Sequence, residues 1–121
     1  MKRFGTILGS LVVAAAAAQT VGAAWTFMSP MNNTKYAQTA SISFAGSGGT
    51  NGTGFMVECA KDGVMEQTVN GTCGMLGYWG GTLAPPIPSG WTVDSGAPEH
   101  SLYVWVGGAR QSTSRSIEIV P

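Results

Sequence analysis

Leu102-Tyr103-Val104-Trp105-Val106 is a run of five β-branched, aromatic or leucine residues, closed by turn-formers on both sides, Ser95-Gly96-Ala97-Pro98 before it and Gly107-Gly108 after it. Such a run reads as a β-strand. Side chains alternate across a sheet, so Leu102, Val104 and Val106 share one face while Tyr103 and Trp105 share the other. Neither set is polar, which places the strand in the middle of a sheet. Leu102, Val104 and Val106 are expected in the core, with the two aromatics under a loop or at a partner surface.

On either side of this strand the chain repeats the same grammar. Ile42 and Phe44 alternate with Ser41 and Ser43, and Phe55, Val57 and Cys59 share one face of the next run. Each pattern predicts a strand with one buried face. Lys61-Asp62-Gly63 turns the chain, Val64 to Val69 returns, and Asn70-Gly71 predicts a further hairpin turn. Trp79, Gly81 and Leu83 line one face of Tyr78 to Leu83, and Ser114 to Val120 closes the chain with Arg115, Ile117 and Ile119 on one side. Trp25-Thr26-Phe27-Met28 predicts a short edge strand, stopped by Ser29-Pro30 and Met31-Asn32-Asn33-Thr34. Ala84-Pro85-Pro86-Ile87-Pro88 carries three prolines without the donor a ladder needs, so it is expected to cross between sheets, with Trp91-Thr92-Val93 as a short extended piece after it. Gly46 to Gly54 holds five glycines in nine residues and reads as a loop. No Gly-Lys-Ser/Thr ending and no helix follow it, so it is not a phosphate cradle. With no 3.6-residue apolar period after Trp25, the expected class is all-β, an antiparallel sandwich of about seven short strands.

The chain's first residues have a different character. Met1-Lys2-Arg3 is basic, Phe4 to Ala18 is apolar and small, and Val21-Gly22-Ala23-Ala24 offers cleavage after Ala23 or Ala24. This pattern predicts a secretory signal peptide over residues 1–24, followed by a single domain over residues 25–121. A transmembrane span needs about 20 predominantly apolar residues, and the 15-residue run is broken by Gly5, Thr6, Gly9 and Ser10. The expected address is secreted, periplasmic or cell-surface. Without Lys2 and Arg3, four basic residues face six acidic ones, 4 − 6 = −2. The four are scattered, which argues against nucleic acid and anionic membranes, and no membrane insertion is expected after signal cleavage. In an oxidising compartment Cys59 and Cys73 are expected to form a structural disulfide.

The succession Ser29-Pro30-Met31-Asn32-Asn33, a strand ending in Phe44-Ala45-Gly46, Trp79-Gly80-Gly81-Thr82-Leu83-Ala84-Pro85-Pro86, Gly90-Trp91 and a late hydrophobic strand resembles bacterial immunoglobulin-like or fibronectin-III-like domains of exported proteins. The resemblance implies an immunoglobulin-like β-sandwich used for adhesion, spacing or carbohydrate contact. Its matching positions are turns and core residues, not a site. The two cysteines sit 14 positions apart, so a local staple is expected in place of the core-crossing bridge of antibody domains.

Catalytic candidates are sparse. Glu58 and Glu66 invite comparison with a glycosidase pair across the ribbon, but such a pair needs a cleft, and solvated strand faces account for both. Asp94, Glu99 and His100 cluster in one loop that has the composition to hold a cation, although a polar loop explains it as well. A hydrolytic triad lacks both a second histidine and an elbow motif. Asn32-Asn33-Thr34, Asn51-Gly52-Thr53 and Asn70-Gly71-Thr72 mark surface turns. No catalytic residue, metal ligand or cofactor is assigned. Aromatics are the chemical surplus: Trp25, Tyr36, Tyr78, Trp79, Trp91, Tyr103 and Trp105 exceed what a small core is expected to hold. Tyr103 and Trp105 are the binding candidates, because aromatics on a rigid sheet stack on sugars or anchor protein interfaces. The expected function is a non-enzymatic module with a structural, adhesive or protein-interaction role, or a small carbohydrate-binding module; its partner would be an extracellular protein or polysaccharide.

Overall fold

The computed structural model describes residues 24–121, so the proposed signal peptide up to Ala23 lies outside the described residues. The chain is all-β, with two sheets. Its strands are β1 (Thr26–Ser29), β2 (Thr34–Ala37), β3 (Ile42–Ser47), β4 (Gly54–Lys61), β5 (Val64–Thr72), β6 (Trp79–Leu83), β7 (His100–Val106) and β8 (Ala109–Val120). A three-stranded sheet runs β1-β3-β6, and a five-stranded sheet runs β2-β8-β7-β4-β5. The Leu102 to Val106 strand is the middle one of five. Leu102 and Val104 are fully buried, and Val106 packs against the core from a partly buried position. Replacing Val104 by Ala is therefore expected to lower stability by about 1–3 kcal/mol, read as a shifted urea midpoint at unchanged slope.

The core lies between the sheets. Phe27, Phe44 and Trp79 project from the three-stranded sheet, and Phe55, Val57, Leu102, Val104, Ile117 and Ile119 from the five-stranded one. Trp79 and Trp91 are both core residues, and Trp91 donates its indole N–H to the Ala40 carbonyl at 2.8 Å. Much of the aromatic surplus is thus packing. Between β6 and β7 the proline-rich stretch makes no strand, as its missing donors dictate.

Two hairpins fix the five-stranded sheet. Asp62 (φ 48°) and Gly63 (φ 82°) join β4 to β5, and Gly107 (φ 60°) and Gly108 (φ 80°) join β7 to β8. Two consecutive left-handed residues make the twist that suits a two-residue hairpin, which is why Asp-Gly and Gly-Gly occur there. Asn70-Gly71 is not a turn. It lies inside β5, with Gly71 opposite Phe55, and a Cβ on Gly71 would come 2.5 Å from the Phe55 ring. That glycine serves a close side-chain approach. The described residues form eight strands where about seven were expected; the extra one is β2, which pairs in parallel with the end of β8 from Thr34↔Ile117 to Ala37↔Val120.

The disulfide expectation is overturned, for Cys59 and Cys73 are both free and buried. Register is the reason. The Cys73 N–H donates to the Thr53 carbonyl at 2.9 Å, and Cys59 lies six residues further along that strand. At about 3.3 Å per residue the separation is about 20 Å, while a bridge needs Cα atoms within about 7 Å. Burial, with Glu66, Asp94 and Glu58 adding their negative charge, pushes the Cys59 thiol up to about 12. The unfolded chain ionises this thiol near 9.0. Its stabilising contribution is therefore whole below pH 9 and is lost as pH rises towards 12. Iodoacetamide at pH about 8 should leave the native domain unlabelled and add two labels in urea; an unlabelled chain in urea would restore the disulfide.

Candidate functional site

The outward face of β7 presents Tyr103 and Trp105, both half-buried, and their cross-strand partners decide what they do. Tyr103 stands opposite Glu58 and Trp105 opposite Met56 on β4. On the other side the register slips between Tyr103 and Trp105, placing Ser114 against the first and Arg110 against the second. Such an irregularity re-aims side chains, and here Arg110 is the one delivered. Its guanidinium lies 3.9 Å from the centre of the Tyr103 ring and 5.2 Å from that of Trp105. Beneath it Glu58, only 2% exposed, accepts the Trp105 indole N–H at 2.7 Å and Arg110 Nη2 at 3.3 Å, both on Oε1. The expectation that Glu58 is a solvated strand residue is overturned. A carboxylate this buried persists because charge-assisted donors meet it.

This cluster locks the aromatic pair. Tyr103 has one face under a cation, and the Trp105 ring is held by its own N–H. What remains open is the side of Trp105 away from Tyr103. There a shallow cleft of about 420 Å³ is lined by Met56, Phe55, Asn70, Trp105 and the glycines Gly54, Gly71, Gly107 and Gly108. The glycines leave peptide surface where side chains would otherwise stand. The sequence singled out Trp105 as a candidate; the cleft beside it depends on strands distant in the chain and carries no local signal.

A second polar cluster lies on the core side of the same sheet. Both ring nitrogens of the fully buried His100 meet carboxylates, Nδ1 to Asp94 Oδ1 at 2.7 Å and Nε2 to Glu66 Oε1 at 2.6 Å. Asp94 Oδ2 also accepts the backbone N–H of Glu99 at 3.1 Å and of Ile119 at 3.0 Å, and Glu66 accepts the Thr92 hydroxyl. Glu66 and Glu58 do not face each other: Glu58 pairs with Thr68, and Glu66 is the residue left out where β5 slips register between Gln67 and Met65. That bulge sends Glu66 to His100. Of the expected cluster of Asp94, Glu99 and His100, Asp94 and His100 meet inside the protein, where they stitch the crossover to β5, β7 and β8, while the Glu99 carboxylate lies nearer the surface on Ser95 and Lys61. Among the described residues no three His, Cys, Asp or Glu side chains are grouped to hold a metal ion.

Fold and site together define an all-β, two-sheet domain with one aromatic-walled cleft on the open face of its larger sheet. No family model, no curated protein and no solved structure matches this chain.

Proposed function

We propose that the chain is an exported, non-enzymatic β-sandwich module of immunoglobulin-like type that binds an extracellular partner through the Trp105 cleft. The observation that carries the reading is the locked pair of aromatics beside that cleft. Rigid aromatic side chains with an arginine between them are the composition from which binding hot spots are made, because little side-chain entropy remains to be lost on contact. The N-terminal charge and apolar pattern supports export, and the strand order, with β1 in one sheet and β2 beside β8 in the other, suits the immunoglobulin-like resemblance. The favoured partner is a protein. Polysaccharide is the second reading, favoured by a cleft that is uncharged along its lining and has a Trp edge for a wall.

Filling the cleft tests both readings without disturbing the core. Asn70 and Gly107 are exposed, so Asn70→Trp should leave the urea midpoint unchanged, whereas Gly107→Trp should lower it, by roughly 1 kcal/mol or more, since Gly107 has φ +60°. Residues 25–121 would be titrated against a glycan array and against immobilised exported proteins of the same cells. Each variant is expected to lose roughly tenfold or more in affinity, the scale of one lost hot spot. Equal binding by the unmodified and filled domains would refute the site. Trp105→Ala is the less clean variant, because it also removes a donor from buried Glu58 and so weakens folding together with binding.

A further inference from the structure

We propose that the end of the domain carrying Met75, Leu76 and Tyr78 rests in the interfacial layer of a lipid bilayer, a contact made by three side chains and not by a span. Met75 is 77% exposed, Leu76 88% and Tyr78 54%, side by side in the short turn between β5 and β6. The turn is built, not frayed. Gly74 N–H donates to the Tyr78 carbonyl at 2.8 Å, Tyr78 N–H returns to Met75 at 3.4 Å, and Gly49 N–H holds the Gly77 carbonyl at 3.0 Å. Leu76 itself sits at φ 63°, ψ 12°, a left-handed conformation that costs energy for any residue bearing a Cβ. Leu76 therefore combines a strained backbone with an almost wholly exposed apolar side chain, a pairing that clusters at functional sites.

Charge is distributed to match. The loops gathered at this end, residues 48–53, 73–78 and 107–108, contain no Asp, Glu, Lys, Arg or His. Among the described residues the cation closest in the chain to these loops is Arg110, already paired with Glu58 at 3.3 Å. Lys61, Asp62, Asp94 and Glu99 lie at the opposite end, around the β4–β5 turn and the start of β7, where Lys61 pairs with Glu99 at 3.5 Å. Charged side chains are the groups that resist the bilayer, and they are turned away from it. The described chain also enters at the uncharged end: the Ala24 carbonyl lies against Gly48, directly after the sequence whose Phe4 to Ala18 run addresses a membrane. That last support rests on the export reading; the turn and the charge pattern do not.

A bilayer suits this end better than a protein. The tip offers three large exposed apolar side chains, whereas a stable protein interface buries about 800 Å² on each partner. An interfacial contact asks only for apolar side chains at acyl depth with an aromatic hydroxyl at headgroup level, the arrangement of Met75 and Leu76 with Tyr78 behind them. The sequence expectation of no membrane insertion rested on scattered positive charge, and this contact uses none.

The test takes residues 25–121, which contain the whole core described above, with vesicles of neutral phosphatidylcholine at millimolar lipid. Leu76→Trp places a reporter at the tip, and Asp62→Trp places one at the far end. In Leu76→Trp the emission should shift to the blue and be quenched by acyl-brominated lipid, equally at low and high salt; Asp62→Trp should not respond. The unlabelled domain should float with the vesicles, and the Met75→Ser/Leu76→Ser double variant should float roughly fivefold less at an unchanged melting temperature. A silent Leu76→Trp, equal responses from both reporters, or a contact that needs anionic lipid would overturn the proposal. Failure of export alone shows separately, as a cellular chain that retains its first 24 residues.

Discussion

Replacing Trp79 by Ala is expected to cost about 3–5 kcal/mol, the range for deleting a buried tryptophan, and to lower the melting temperature by roughly 15–30 °C in a domain of this size. Trp79 is the hub of the core. Its ring centroid lies 5.1 Å from that of Phe27, 5.5 Å from Phe55, 5.6 Å from Trp25 and 6.2 Å from Phe44. These partners come from both sheets, so the cavity would open where the layers meet. The indole N–H donates to the Ser47 carbonyl at 3.0 Å, a bond lost with the ring. Space for the ring is made by Gly46, where a Cβ would overlap it. Chemical denaturation of Trp79→Ala and Trp79→Phe checks this, with Phe expected to recover about half of the loss by keeping most of the buried area. A midpoint unmoved by Trp79→Ala would mean that the two sheets do not depend on this cluster.

His100→Leu is expected to destabilise by about 3 kcal/mol, the upper end of the cost of leaving a buried polar group without its hydrogen-bond partner. The substitution preserves volume and apolar packing against Trp91, whose ring meets His100 edge-on at 6.3 Å. What it removes is the donor to Asp94, a carboxylate with a fully buried side chain. Glu66, at 17% side-chain exposure, can turn to water. The paired variants therefore rank: Glu66→Gln should cost much less than His100→Leu, and His100→Leu combined with Asp94→Leu should recover part of the loss. Urea titration reads all three, and a His100→Leu midpoint equal to that of the unmodified domain would show that the network is dispensable.

The core was legible in the sequence because burial on a strand leaves a period-two trace. Ile42, Phe44, Phe55, Val57, Leu102, Val104, Ile117 and Ile119 all lie where alternation puts them. What was illegible depends on partners far along the chain. Thr34 to Ala37 is too short to show a pattern and becomes a strand because the end of β8 offers it an edge. Cys59 and Cys73 look adjacent in a folded ribbon until the Asp62-Gly63 turn fixes the register and carries them apart. Glu58 and Glu66 read as solvated because a carboxylate on a strand usually is. Their donors, Arg110 and His100, stand 52 and 34 residues away.

The parallel pairing of Thr34–Ala37 with Ile117–Val120 also sets a timetable. These partners are separated by almost the whole domain, and contacts of such sequence separation form late because the intervening chain must be closed first. A chain still emerging from the ribosome, or threading a channel end first, holds β2 long before it holds β8. Until Ile117–Val120 is available β2 has no edge to pair with, so the border of the larger sheet is completed only after β8 has been made.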